Sequence, residues 1–173
     1  MVSIPQFHYR AGTVETGQFA GKKAVWVSSA PAVGFSIHPA FMKAGEVIDQ
    51  FWVGKYQGTD DAGKLGSQPG LPPKTRITIA QAREAAEARN KGEVSGFMLW
   101  GVHQLDAIKM LAMIELGTPD ACGVLGNGNV DGNGVLHVDH ELVAKATWRG
   151  IVGLWGNVWQ MFDGLQIDDR GCY

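Results

Sequence analysis

Glycine occurs 24 times in these 173 residues, about twice what an average usage of roughly 7% gives, and it follows no fixed period. Because glycine takes positive φ freely and weakens the interiors of helices and strands, a chain punctuated this way is expected to fold into short elements joined by tight turns and long loops. The missing G-X-Y period excludes a collagen-like rod. A hydrophobic fraction of 45% suffices for a core, and the length suits a single domain over 1–173. Charged residues make up 18%, below the roughly 25% of ordinary soluble domains, so part of the surface is expected to be covered by neighbours.

The elements follow from local pattern. Ile4 to Tyr9, Lys23 to Val27 and Phe51 to Tyr56 are rich in aromatic and β-branched residues and bounded by Gly and Pro, which predicts strands. Gln57 to Lys74 concentrates Gly, Pro and Asp and reads as a surface loop. Thr78 with Gln81 forms a capping box ahead of an Ala-rich run to Arg89, and Asn90-Lys91-Gly92 stops that helix. After an apolar piece, Phe97 to Trp100, a second helix places Val102, Leu105, Ile108, Leu111 and Ala112 on one face and ends at Gly117. Beyond it, 120–149 is the longest stretch without firm periodicity, and the glycine-spaced apolar runs after it predict strands, including Gly164 to Ile167. The fold class is α+β: two helices packed on short antiparallel strands with long Gly-rich loops, and one sheet shared by the first and last strands so that neither edge is bare.

A net charge of -2 and a pI near 6.2 lack the clustered Lys and Arg that phosphate backbones require, so nucleic acid is not an expected partner. The start MVSIPQFHYR has no basic segment followed by an apolar run, and no stretch offers the ~20 apolar residues of a membrane span, so synthesis in a cytoplasm without membrane insertion is expected. Cys122 and Cys172, the only cysteines, are too few for a disulfide framework and too far apart for C-x-x-C, which leaves idle thiols.

Candidate chemistry is sparse. Asn127-Gly128-Asn129-Val130-Asp131-Gly132 alternates oxygen-bearing side chains as a calcium loop does, but position twelve is Val138 and Asp131 is the only early carboxylate, so it reads as a Gly/Asn turn. On a strand, His137 and Asp139 would share a face and His140 the other, which argues against a preformed metal site. Neither a G-x-S-x-G elbow nor a phosphate-cradling G-x-x-x-x-G-K loop occurs. No metal, cofactor or catalytic residue is expected, and the chain reads as a binding protein rather than an enzyme. Long loops on a rigid scaffold carry binding residues, which singles out Asn127, Asn129, Asp131, Asn133, His137, Asp139 and Trp148 to hydrogen-bond or stack on a sugar or a protein epitope.

Gly153-Leu154-Trp155-Gly156-Asn157-Val158-Trp159-Gln160 resembles the G-L-x-G-N-V-W-E-W signature of formylglycine-generating enzymes and their C-type-lectin-like relatives. Val2 to Arg10 resembles the V-x-I-P-x-F-x-Y start of the phage tail and retroelement-diversified branch, Ile37 to Phe41 its V-H-P-A-F, and Phe51 to Tyr56 its F-Y-I-G-K-Y-E; Met113 to Pro119 is similar to the helix end before its variable loop. The resemblance runs along nearly the whole chain in order. It implies a C-type-lectin-like fold and a bacteriophage virion protein of the tail tip or tail fibre, which attaches to a host-surface glycan or protein receptor. A structural virion subunit among other tail proteins is the alternative. The enzymes need a pair of nearby cysteines to hold copper, and Cys122 and Cys172 match no such motif. Where the family motif carries an acid that can join a calcium site, this chain has Gln160. Trp155 and Trp159 are expected in the core, and Asn157 to tie a turn through its amide. Tail appendages are symmetric, so a homo-oligomer is expected, with Phe7, Tyr9 or Trp26 exposed to meet a neighbour.

Overall fold

The computed structural model describes residues 1–165 and the backbone of Ile167–Asp168 and Gly171–Cys172. Its architecture is α+β, with small antiparallel sheets and, among the described residues, four helices. Where length suggested a single domain, the chain gathers into two compact units, one of Ser3–Phe51 and one of Met1–Val2 with Trp52–Tyr173.

In the unit Ser3–Phe51 the expected first strand is two. Pro5 and Gln6 break it into β1 (Val2–Pro5) and β2 (His8–Thr13), because proline cannot donate to a ladder. β2 lies between β3 (Lys23–Ser28) and the short β4 (Ser36–Ile37), both antiparallel to it. A 3-10 turn at Pro39–Phe41 follows: His38 caps it, its Nδ1 accepting from Ala40 N (3.2 Å), and Pro39 occupies the first helical position. β5 (Met42–Lys43) and β6 (Glu46–Val47) form a small hairpin, and β7 (Gln50–Val53) pairs with β1. The core is a chain of rings, with Phe7 and Phe41 edge to face at 5.4 Å, Phe41 and Phe51 at 5.3 Å, and His38 against Phe7 at 5.0 Å and Tyr9 at 5.1 Å. Phe7, expected at the surface, is only 4% exposed. Tyr9 and Trp26 are half-buried, the latter beneath the Arg10 guanidinium at 4.5 Å.

In the other unit, the segment read as a loop contains a hairpin, β8 (Thr59–Asp61) with β9 (Lys64–Gly66). Its two turn residues, Ala62 and Gly63, both have positive φ (49 and 86), the twist that matches paired strands. Alanine in that role hides the turn from sequence. α1 (Ile79–Glu87) begins at the expected capping box and buries Ala82, Ala85 and Ala86, small residues that let it lie close on β9. Arg89 fastens its end by donating Nε–H to Leu65 O (2.7 Å) and pairing with Asp61. α2 (Val102–Leu116) ends at Gly117, at φ 68 in the left-handed region as expected. Its buried residues are Ala107, Ile108, Met110 and Ala112, so of the expected face Ile108 and Ala112 are buried and Val102, Leu105 and Leu111 half-buried.

The long stretch after α2 holds two short helices, α3 (Ala121–Leu125) and α4 (Glu141–Ala144), and the hairpin of β10 (Thr147–Trp148) with β11 (Ile151–Val152). Of the strand expected over Gly164 to Ile167, Gln166 lies outside the described residues, Gly164 and Leu165 are not in a strand, and Ile167 opens β12 (Ile167–Asp168), which pairs with β13 (Gly171–Cys172). The expectation of one sheet shared by the terminal strands is therefore corrected: β1 takes β7 as partner and β12 takes β13. Cys122 is half-buried with a free thiol; the Cys172 side chain lies outside the described residues. No helix among the described residues is long and apolar enough to cross a membrane.

Candidate binding loop

The loop 127–136 is followed in the chain by a tight hairpin. The β10–β11 hairpin turns through Arg149 and Gly150, both at positive φ, and presses Trp148 into the core at 3% exposure. The Trp148 indole donates to Glu115 Oε2 (3.1 Å), which also accepts from Arg149 Nε (2.7 Å). Trp148 is thereby removed from the candidate binding residues, because its ring has no free face to offer a ligand.

Downstream, Gly153 and Leu154 both donate their N–H to Ala146 O (3.1 and 3.0 Å), which sets the direction of the segment that follows. Gly156, at φ 76, lies directly on the loop: a Cβ there would stand 3.1 Å from Asn127 O, Asn129 N and Asn129 O, so two backbones meet where no side chain fits. Asn157 follows at φ 67, a conformation that asparagine tolerates better than most residues, and its N–H donates to Asn129 O (2.7 Å).

The Asn157 side chain uses its whole hydrogen-bonding capacity. Its Oδ1 accepts from Asn129 Nδ2 (3.0 Å) and Leu136 N (2.9 Å), and its Nδ2 donates to Gln57 Oε1 (2.9 Å) and Leu136 O (3.1 Å). Asn129, 6% exposed, passes the network on by donating to Gly134 O (2.8 Å) and accepting from Asn133 Nδ2 (3.3 Å). Gln57 Nε2 donates to Gly153 O and Gly156 O (3.0 and 3.2 Å), Gln160 Nε2 to Gly153 O (2.9 Å), and the Trp155 indole to Gly126 O (2.9 Å). The amide of Asn157 thus ties Asn129 to Leu136, and the Trp155 indole holds Gly126 ahead of them.

The candidate residues separate into three groups. Asn129 and Asn133 join Asn157 in the network, and Asn127 touches Gly156 through its backbone. Asp131 stands exposed at the tip with Val130 and Val135. His137 and Asp139 belong elsewhere: the H-x-D-H run is a turn and not a strand, in which His140 caps α4 through Nδ1 (3.2 Å from Leu142 N) and Asp139 accepts from Gly70 N (2.9 Å). Val138 between them is fully buried and donates to Leu71 O (2.9 Å). Among the described residues no three His, Cys, Asp or Glu side chains gather where they could hold a metal.

Two motif tryptophans part company. Trp155 is half-buried and bonded, whereas Trp159, expected in the core, is 100% exposed. Sequence reasoning also missed Gln57, which lies 100 residues from Asn157. Its position directly after the Phe51–Tyr56 segment is the one signal that could have drawn attention to it. No family model matches the chain, and no curated protein matches it in sequence.

Proposed function

We propose that this chain is a bacteriophage virion protein of the tail tip or tail fibre, built on a C-type-lectin-like domain, that attaches to a host-surface glycan or protein through the loop 127–136 and Trp159. Support for the family comes from the segments that resemble it. Support for recognition comes chiefly from one observation: Asn157 of the motif saturates its hydrogen bonds in holding the loop, while the loop tip and Trp159 stand in water. A frame that is held in advance lowers the ordering cost of binding. An indole kept fully solvated on such a frame is the kind of aromatic anchor that interfaces bury, and the polar groups of Asp131 and Asn133 suit a hydroxylated ligand. The proposal is of a binding protein and not an enzyme.

The test is adsorption of the labelled protein to a panel of bacterial cells and their extracted surface polysaccharides. Trp159→Ala is expected to weaken binding at least ten-fold with an unchanged melting temperature, since the ring contributes no burial to the fold. Binding that survives both Trp159→Ala and Asp131→Ala, or no binding to any surface, would sink the attachment reading.

A second reading, a structural virion subunit, is favoured by a different surface. Residues 91–98 are exposed throughout and present Val94, Phe97 and Met98 to solvent, the sort of apolar segment that assembly covers. Locating the protein in purified particles by electron microscopy separates the two: burial of both 91–98 and the loop 127–136 favours the structural role, and a loop facing outward favours attachment.

A further inference from the structure

The six-residue β3 is the end strand of a sheet ordered β3-β2-β4. Which of its backbone groups face outward follows from the bulge just before it. Gly21, at φ 81, donates to Val14 O (2.8 Å) and Val14 donates to Lys22 O (2.9 Å), so Val14 spends both backbone groups toward β3. Alternation along an antiparallel ladder then points those of Gly12, Arg10 and His8 the same way, and their partners Ala24, Trp26 and Ser28 point back. The far edge of β2 agrees, since Phe7 O accepts from His38 N (3.1 Å) on the β4 side. Lys23, Val25 and Val27 are left with N–H and C=O directed away from the sheet, and no backbone hydrogen bond among the described residues takes them up.

Protein edges are commonly guarded by proline, inward charges or bulges. β3 has no proline, its one charge is Lys23 at the end, the bulge at Gly21–Lys22 lies ahead of it and leaves 23–28 regularly paired, and Val25 at its middle is 40% exposed. We infer that β3 seats a second copy of this chain, joined edge to edge about a two-fold axis through Val25, so that two three-stranded sheets become one of six strands.

The register follows from symmetry. A two-fold axis perpendicular to a sheet keeps each side chain on its own face, so it must pass through a residue and not between two. Centred on Val25, the outward groups pair as Lys23 with Val27, Val25 with Val25, and Val27 with Lys23, each an exchange of two hydrogen bonds. Ala24 then faces Trp26 on the other side, small against large, and no like charges meet. Centred on Trp26, the axis would instead oppose two indoles at the closer, non-hydrogen-bonded spacing of about 4.5 Å between Cα atoms, on the face where Arg10 already covers each ring. This fit of the strand to itself is what favours a second copy over an unlike strand, and it holds whether or not the chain belongs to a virion.

Light scattering or sedimentation of the full chain over a wide concentration range is expected to give the mass of two chains, twice 18.6 kDa. Val25→Lys sets two ammonium groups opposite each other at the axis and is expected to yield the single-chain mass with an unchanged circular dichroism spectrum. In a Cys122→Ser, Cys172→Ser background, Val25→Cys is expected to form a covalent dimer under mild oxidation, because paired Cα atoms at a hydrogen-bonded position lie about 5.5 Å apart, within disulfide range; Trp26→Cys is not. A wild-type chain of single mass at every concentration, including one that captures an unlike protein, would overturn the inference. So would a dimer that persists in Val25→Lys. If Val25→Lys fails to fold, the cysteine pair decides: cross-linking at 25 and not at 26 upholds the register, and no cross-link at 25 rejects it.

Discussion

The ring cluster of Ser3–Phe51 and the amide network around Asn157 do similar work by opposite means. In the first, Phe7, His38, Phe41 and Phe51 exclude water by area and shape, with ring centroids 5.0 to 6.4 Å apart. In the second, Asn129, Asn157, Gln57 and Gln160 hold backbone to backbone with directed hydrogen bonds and little apolar area. Contact by area degrades gradually when a side chain shrinks, whereas a directed network leaves every former partner of a lost group unsatisfied. The comparison therefore predicts different responses to conservative changes: the rings should tolerate a change of shape, and the network should not tolerate a change of one atom type.

The largest effect should come from emptying the ring cluster. Phe41 is fully buried between Phe7 and Phe51, so Phe41→Ala is expected to cost about 4 kcal/mol and Phe41→Leu only about 1 kcal/mol, read as denaturant midpoints at constant slope. Equal losses for the two would mean that ring geometry, rather than apolar volume, holds this unit.

Asn157→Ala comes next, at about 3 kcal/mol, because it abandons groups of Asn129, Leu136 and Gln57 and leaves a Cβ-only residue in the left-handed region. Asn157→Asp sharpens the contrast. The isosteric carboxylate still accepts from Asn129 Nδ2 and Leu136 N, but it faces Gln57 Oε1 and Leu136 O with acceptors instead of donors. A loss of about 2 kcal/mol is expected, together with faster amide exchange over 126–136 than in the wild type. If Asn157→Asp melts like the wild type, the network is not what fastens the loop.

What was legible in the sequence was local. The Thr78–Gln81 capping box and the stop at Gly117 are decided by residues within a turn of one another, and both stand in the structure. Ala62 at positive φ conceals a hairpin because the usual Asn-Gly or Asp-Gly signal is missing. Trp155 and Trp159 sit in one motif and look alike, yet Trp155 is half-buried with its indole N–H on Gly126 O, distant in the chain, while Trp159 is fully exposed. The capacity of Asn157 to tie a turn was readable from its side chain; the identity of its partners was not, since Gln57 and Leu136 reach it from 100 and 21 positions away. Trp148 likewise read as a binding residue because nothing nearby marks Glu115 as the acceptor for its indole.

The smallest expected effect tests a third kind of contact, charge at the surface. Asp163 accepts from Arg83 Nε (3.1 Å) and from Gly164 N (2.9 Å), and its backbone clamps Trp100 and Val102 through Asp163 N to Trp100 O (3.0 Å) and Val102 N to Asp163 O (2.8 Å). The Arg83 hydrogen bond holds the Asp163 carboxyl below the usual carboxylate range, outweighing the opposing effect of partial burial. A carboxyl depressed in the folded state binds its proton more readily when unfolded, so its contribution is fully present above the ordinary aspartate range and is lost as pH falls through the lower folded value. Because both partners are partly exposed, the pair is screened, and most of its contribution should vanish in high salt. Asp163→Asn is therefore expected to lower the melting temperature slightly at neutral pH and low salt, to match the wild type in strong acid and to come close to it in concentrated salt. A difference that persists in both conditions would assign the role of Asp163 to its hydrogen bond with Gly164 and its backbone clamp, making this corner a directed network like that of Asn157 and not a charge pair.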